Sequence, residues 1–554
     1  MLTVAVCVAV LAVGLVPSAV GADPGTAALC GPGDNPEPGL QGDVPKSAQQ
    51  SGAAEAGYNC GLALVGHVNL TNGDRQTSNA NMAWSGDCAY VSGDGGVFSR
   101  ATPNATQGVA VVDVSDPQHP VHVTTLRETR ASQLTLETLH AVDATNGRRV
   151  LVTGEYGNQQ QGPSPMNVYD VSDCAHPRLL EVFSWPENIH NLTISPNGRY
   201  VYATQPLQVV ELLDGPLFDG DPTTSGVRFV GNVDDKLDWP LLGAGPIADA
   251  DDLVPGARRS PADYTAHEAW SNEDGTKLYL GSQLPTFEVF TIVDITKWLA
   301  DPVNERPQVI SQREGRGHSM RTATIDGRRY ALHSEESVFG GAYGCSPEEM
   351  NPAAGPAEPW LSDITDEANP TMRVSQFHLE INQPTNCAAQ LDSGVQASVH
   401  YHDVDDPDRT TFAMMSMQNA GIRVVDIRDP AAPREVGYFN PGDVQPGAGV
   451  TLDNAWGHVR YVPATGHIWF STATGGFWVV ELEPQLRSHL SLDPVTVLNA
   501  AGRPGRLGID VDPVLIGLTA APAYCSLGPL ATAATAPALP VTPIVEAVKT
   551  VKLP

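Results

Sequence analysis

Lysine is scarce in this chain, with six in 554 residues; Lys and Arg together number 32 against 63 Asp and Glu, for a formal net charge of −31. Such a surplus of negative charge repels phosphate backbones and anionic lipid surfaces, so nucleic acid is excluded as a partner. Charged residues make up only 17% of the chain, which argues against long solvated helices. Past the N-terminal stretch no run of roughly eighteen apolar residues occurs, and no transmembrane segment is expected. CxxC, HExxH, a GxSxG elbow and a GxGxxG following a strand are all missing, which removes the zinc-knuckle, zincin, serine-hydrolase and Rossmann readings. The acid pairs Asp251-Asp252 and Asp405-Asp406 complete no Ca²⁺-loop spacing.

What is present is glycine (53), proline (46) and 41% hydrophobic residues, the composition of many short strands joined by turns. An apolar run from Leu2 to Val16, followed by small residues to Ala22, reads as a signal peptide cut near Gly21 or Ala22 and points to a secreted or cell-surface protein. Apart from Cys7, the cysteines are Cys30, Cys60, Cys88, Cys174, Cys345, Cys387 and Cys525, an odd set that leaves at least one unpaired or intermolecular. Pairings of Cys60 with Cys88 and Cys345 with Cys387 are expected from their nearness within one repeat, although sequence does not fix connectivity.

One phrase recurs along the chain, an apolar strand ending in an acidic residue and often followed by a proline turn. It stands at 108–117 (Val111-Val112-Asp113-Val114), at Val168-Tyr169-Asp170-Val171, at Val293-Asp294-Ile295 and at Val424-Val425-Asp426-Ile427. Weaker copies are Val209-Val210-Glu211-Leu212, Ser362-Asp363-Ile364 and Trp478-Val479-Val480-Glu481-Leu482, making seven. Two strand-like pieces joined by tight turns such as Asn146-Gly147, Asn197-Gly198 and Asp274-Gly275 precede each copy, and one strand follows it. Four-stranded units of this size cannot bury their own faces, so they must stack into a closed ring, an all-β seven-bladed β-propeller. The last unit is short of a strand, while Leu62 to Leu70 is an orphan strand that would close it from the N-terminal side. The expected organisation is therefore a signal peptide (1–22), a flexible N-terminal arm (23–58), the propeller (59–490) and a flexible Ala/Pro-rich C-terminal tail (491–554). The phrases at 108–117, 166–177 and 421–433 resemble the LVIVD-repeat family, propellers of secreted or cell-surface prokaryotic proteins; the resemblance implies the fold and little about activity.

Comparison of the units exposes polar residues where packing needs none. His140, His190, His267, His318, His402 and His458 stand at the start of the innermost strand, with Asn81 in the first unit and His400 competing with His402. The end of the next strand gives Asp94, Glu155, Gln205, Gln283, Glu335, Gln418 and Thr474. In a hairpin these two places adjoin, so both sets should crowd one mouth of the central channel. Imidazoles ligate Fe, Cu or Zn, and nearby carboxylates or carboxamides orient them. The structural alternative is a duplicated histidine that only hydrogen-bonds across its blade. Carotenoid-cleaving dioxygenases and selenium-binding-type methanethiol oxidases are also propellers with histidine-held metal, but their further helical and cysteine features are missing here. The sequence thus points to a secreted, monomeric binding or interaction module for a small molecule or protein, with a His-lined ligand or metal site. The rival is a metal-dependent (Fe or Cu) oxidoreductase. Excursions at 214–262 and 338–359 are candidate lids, and Asn69, Asn104 and Asn191 head glycosylation-type triplets.

Overall fold

The recurring acidic strand is the third strand of every sheet, and its acid has a local job. In the computed structural model, Asp113, Asp170, Asp294, Asp363 and Asp426 each accept, through Oδ1, the backbone N–H of the residue two positions on, at 2.8–3.0 Å. This Asx turn ends the strand and aims the chain back toward the fourth strand. A register shift between third and fourth strands follows in all seven sheets, for example between Val111 and Val112 opposite Thr124 and His122. Bulges of this kind sharpen the right-handed twist that lets flat faces stack around an axis.

The structure describes residues 28–70, 79–93, 108–156, 163–218, 224–236, 266–281, 289–314, 317–334, 358–442 and 453–492. The signal-peptide segment and the tail beyond 492 lie outside them, as do most of both candidate lids. Blades one to five are four-stranded antiparallel sheets within residues 79–126, 139–185, 192–232, 268–314 and 320–376. Blade six, residues 402–440, gains a fifth strand from Tyr58–Cys60, which pairs with Arg434–Asn440. Blade seven has three strands of its own within 460–482, and Leu62–Val68 supplies the fourth by pairing with Gly476–Leu482. The ring is thus closed by the strand expected from the sequence, and the blade count is seven.

The described part of the arm lies against blade six. Glu37 and Glu435 both pair with Arg423, whose guanidinium is fully buried over the Tyr438 ring. Cys60 is bonded to Cys30 and Cys88 to Cys174, so the expected Cys60–Cys88 bridge is not formed. The physical reason is that Cys60 belongs to the strand that extends blade six, whereas Cys88 begins the second strand of blade one and faces the turn of blade two. Cys387 is disulfide-bonded; Cys345 lies outside the described residues.

Candidate functional site

The pairing of first and second strands fixes which residues are equivalent around the channel. His190, His267, His318 and His400 each donate their backbone N–H to a carbonyl at the end of the second strand or one residue past it, Thr204, Gly281, Ser334 and Ser416, at 2.7–3.0 Å. In blade two the next residue, Thr138, accepts from Gly154, just as Asn191 accepts from Thr204, which puts Glu137 at the histidine position. Five consecutive blades, two to six, therefore present Glu, His, His, His and His at one level.

Their side chains converge. His190 and His267 bring their Nε2 atoms to 2.6 Å, and Glu137 Oε2 lies 3.2 Å from His267 Nε2 and 3.7 Å from His190 Nε2. Glu137 Oε1 is 3.6 Å from His400 Nε2. The His318 ring lies 3.7 Å from the His267 ring and 4.4 Å from that of His400, and the donor atoms of Glu137, His267 and His318 all fall within 4.8 Å of one another. Two imidazole nitrogens so close would repel through their lone pairs unless a proton or cation lay between them. Donors sharing one metal at about 2.0–2.1 Å stand roughly 3–3.5 Å apart, the spacing bracketed here. Burial pushes the Glu137 carboxyl up, but the imidazoles of His267, His400 and His190 outweigh it and hold it well below the usual carboxylate range. A buried carboxylate ringed by imidazole nitrogens is a place for a cation.

Neighbouring groups set the orientation of this cluster. His400 Nδ1–H donates to the Trp456 carbonyl at 2.6 Å, which turns Nε2 toward Glu137, and the Trp456 ring stacks on the imidazole at 4.6 Å. Tyr401, fully buried, donates from its hydroxyl to Glu137 Oε2 at 3.0 Å and accepts from Asn191 Nδ2 at 2.8 Å. Asn191 is 1% exposed and so is no glycan acceptor.

Of the six histidines singled out from sequence, the structure brings His190, His267 and His318 together and adds His400 and Glu137. His402 is two residues further along its strand and buried between blades, bonded to the Leu332 carbonyl at 2.9 Å and Ser319 Oγ at 3.2 Å. His458 shares the level of Tyr401 and accepts from Arg321 Nη2 at 2.8 Å. His140 lies three residues, about 10 Å of strand, beyond Glu137; its Nδ1 accepts from the Ile194 N–H at 3.2 Å. It faces a cavity of about 30 Å³ with Trp84, Trp270, Arg321, Asp403 and His458. Burial lowers the His140 imidazole to about 3, with Arg321 adding to the effect, so it stays neutral. Arg321 is held by Glu268 at 2.8 Å and lies 4.0 Å over Trp270, so this cavity carries its own cation.

Among the described residues, Glu155, Gln418 and Thr474 of the amide and acid set bond elsewhere. Glu155 is bonded to Arg130, Gln418 makes a backbone bridge with Ala455, and Thr474 bonds to Asp453. Gln205 takes a left-handed turn conformation, φ 61°, ahead of Pro206. Asp94, Gln283 and Glu335 lie outside the described residues.

Residues 105–126 and 411–440, in blades one and six, match the LVIVD repeat, so the protein is a seven-bladed propeller carrying LVIVD repeats. No curated protein matches the chain. Similar solved structures include the β-propeller domain of Myceliophteria thermophila Cps50 (Swd1), 10% identical over 73% of this chain and 99% of that one, with a TM-score of 0.41. A functionally unknown protein from Desulfotomaculum acetoxidans is 12% identical over 68% and 86%, with a TM-score of 0.38. A chain of the mitotic checkpoint complex is 10% identical over 82% and 99%, with a TM-score of 0.39. None of these bears on what the channel does.

Proposed function

We propose that this protein is an extracellular binding module whose channel holds one divalent transition-metal ion, ligated from among Glu137, His190, His267, His318 and His400. The observation that carries the reading is the convergence of one carboxylate and four imidazoles from the same strand level of five successive blades. Imidazole-rich sites with a single carboxylate suit Fe, Cu, Zn or Ni rather than Ca or Mg. Bound metal would act as a Lewis acid toward a small ligand. Export is supported by the Cys30–Cys60 and Cys88–Cys174 bridges, and among the described residues no helix is long and apolar enough to cross a membrane.

Metal analysis of protein purified without a histidine tag tests this. One transition-metal ion per chain is expected in the parent and a large loss in a His267→Ala/His318→Ala double variant that still folds. Folded parent protein that takes up no Fe, Cu, Zn or Ni after dialysis against each would refute it. Oxygen consumption by the loaded protein would move the reading to the metal-dependent oxidoreductase.

A further inference from the structure

Among the described residues, Tyr401 reaches the cluster from the next level down, and it spans the channel to do so. It starts in blade six, yet its hydroxyl meets Glu137 of blade two and Asn191 of blade three. Its ring packs against His318, His400 and His458 at centroid distances of 5.2, 4.5 and 4.0 Å, so it floors the cluster and separates it from the Arg321 cavity. On the other side burial is incomplete: the His190 side chain is 19% exposed, against 2% for His267 and 1% for His400. Access to the cluster therefore runs past His190, where the Tyr156 ring lies 4.9 Å away.

The hydrogen bond also makes the two Glu137 oxygens unequal. Tyr401 O–H occupies a lone pair of Oε2 and Asn191 fixes the hydroxyl, while Oε1 lies toward His400, so the two oxygens are engaged differently. A carboxylate free to chelate takes two coordination positions; one held at a single oxygen takes one. Resting on the metal reading above, we propose that Tyr401 keeps Glu137 a one-oxygen ligand, and so leaves a position on the metal for a small monodentate ligand entering past His190. Ligands of this class are small anions and neutral oxygen or nitrogen donors, bound by exchange with a water molecule and without redox change. Tyr401 is then a positioning residue acting through Glu137.

The test uses the full chain loaded with Co(II), whose visible bands report coordination, titrated with azide. In the parent, azide is expected to shift the Co(II) bands. In Tyr401→Phe, which keeps the ring and removes only the hydroxyl, Co(II) stays bound with altered bands and azide affinity falls about tenfold or more, the scale of lost outer-shell support. Asn191→Ser, which removes the donor that fixes the hydroxyl, gives a smaller loss of the same sign and carries the test if the phenylalanine variant does not fold. Unchanged azide affinity in the folded variants overturns the role of Tyr401. Co(II) bands in the parent that ignore azide overturn the open position, and a parent that binds no Co(II) overturns the metal reading itself.

Discussion

Asp405, at the first-to-second strand turn of blade six, carries a charge that the fold disfavours. Its Oδ1 accepts the backbone N–H groups of Thr411 and Phe412 at 2.8 and 3.1 Å, yet burial outweighs them and pushes the carboxyl up to about 6. Because the folded value lies above the unfolded one, near 3.9, ionisation costs stability: the molecule is unpenalised below about pH 4 and loses stability as pH rises to about 6, by roughly 3 kcal/mol at most. Asp405→Asn retains the acceptor and removes the charge, so it should match the parent at pH 4 and exceed it at pH 7.5 in urea midpoint; equal midpoints at pH 7.5 would count against the assignment. The same scale shows why the site was only half legible in sequence. Scanning for histidine at a repeated place finds His190, His267 and His318, because those three share both residue type and level. It misses Glu137, the one acid in the row, since a search for like residues passes over the unlike one and takes His140, three places on. It hesitates between His400 and His402 because hairpins of unequal length make counting from the turns slip, whereas the backbone pairing of His400 with Ser416 does not. Tyr401 carried no periodic signal at all, since its partners lie 264 and 210 residues away.

Among the strands, legibility was higher because the cause is local. In five of the seven blades the Asp at the end of the third strand bonds two residues on, so the same short phrase specifies the same turn; blades three and seven carry Glu211 and Glu481 at that place, and the seven acidic copies announce seven sheets. Long-range pairing is less readable. Leu62–Val68 could be assigned to the last blade by counting what was missing, but Tyr58–Cys60 adds to a sheet already complete, and no vacancy signalled it. The closing strand has a tight point at Gly66, which follows its bulge. A Cβ there would stand 2.2 Å from the Pro117 carbonyl oxygen and 2.9 Å from Pro120 Cδ, in the turn of blade one. Gly66→Ala should therefore pry blade seven from blade one and lower stability by about 1–3 kcal/mol, the usual cost of overpacking. Guanidinium unfolding followed by tryptophan fluorescence measures it; a midpoint equal to the parent's would show that the contact yields freely.

The whole molecule depends on segments far apart in sequence meeting at that seam. Residues 28–70 supply the outer strand of blade seven, the fifth strand of blade six and the Glu37 partner of buried Arg423. Removing them bares two strand edges and leaves Arg423 with one carboxylate partner, Glu435, beside the Ala420 carbonyl, a loss that buried charge tolerates poorly. None of Glu137, His190, His267, His318 or His400 lies in the deleted piece, yet the five reach one point only if the arc of blades two to six keeps its curvature. Deletion of 28–70 should thus produce concentration-dependent association through the bared edges, seen by sedimentation, and weaken metal binding without touching a ligand. Adding a synthetic peptide of residues 58–70 should reverse both effects together. Full metal affinity in a truncated, unassociated chain would mean that the five-blade arc holds the centre by itself and that closure serves stability alone.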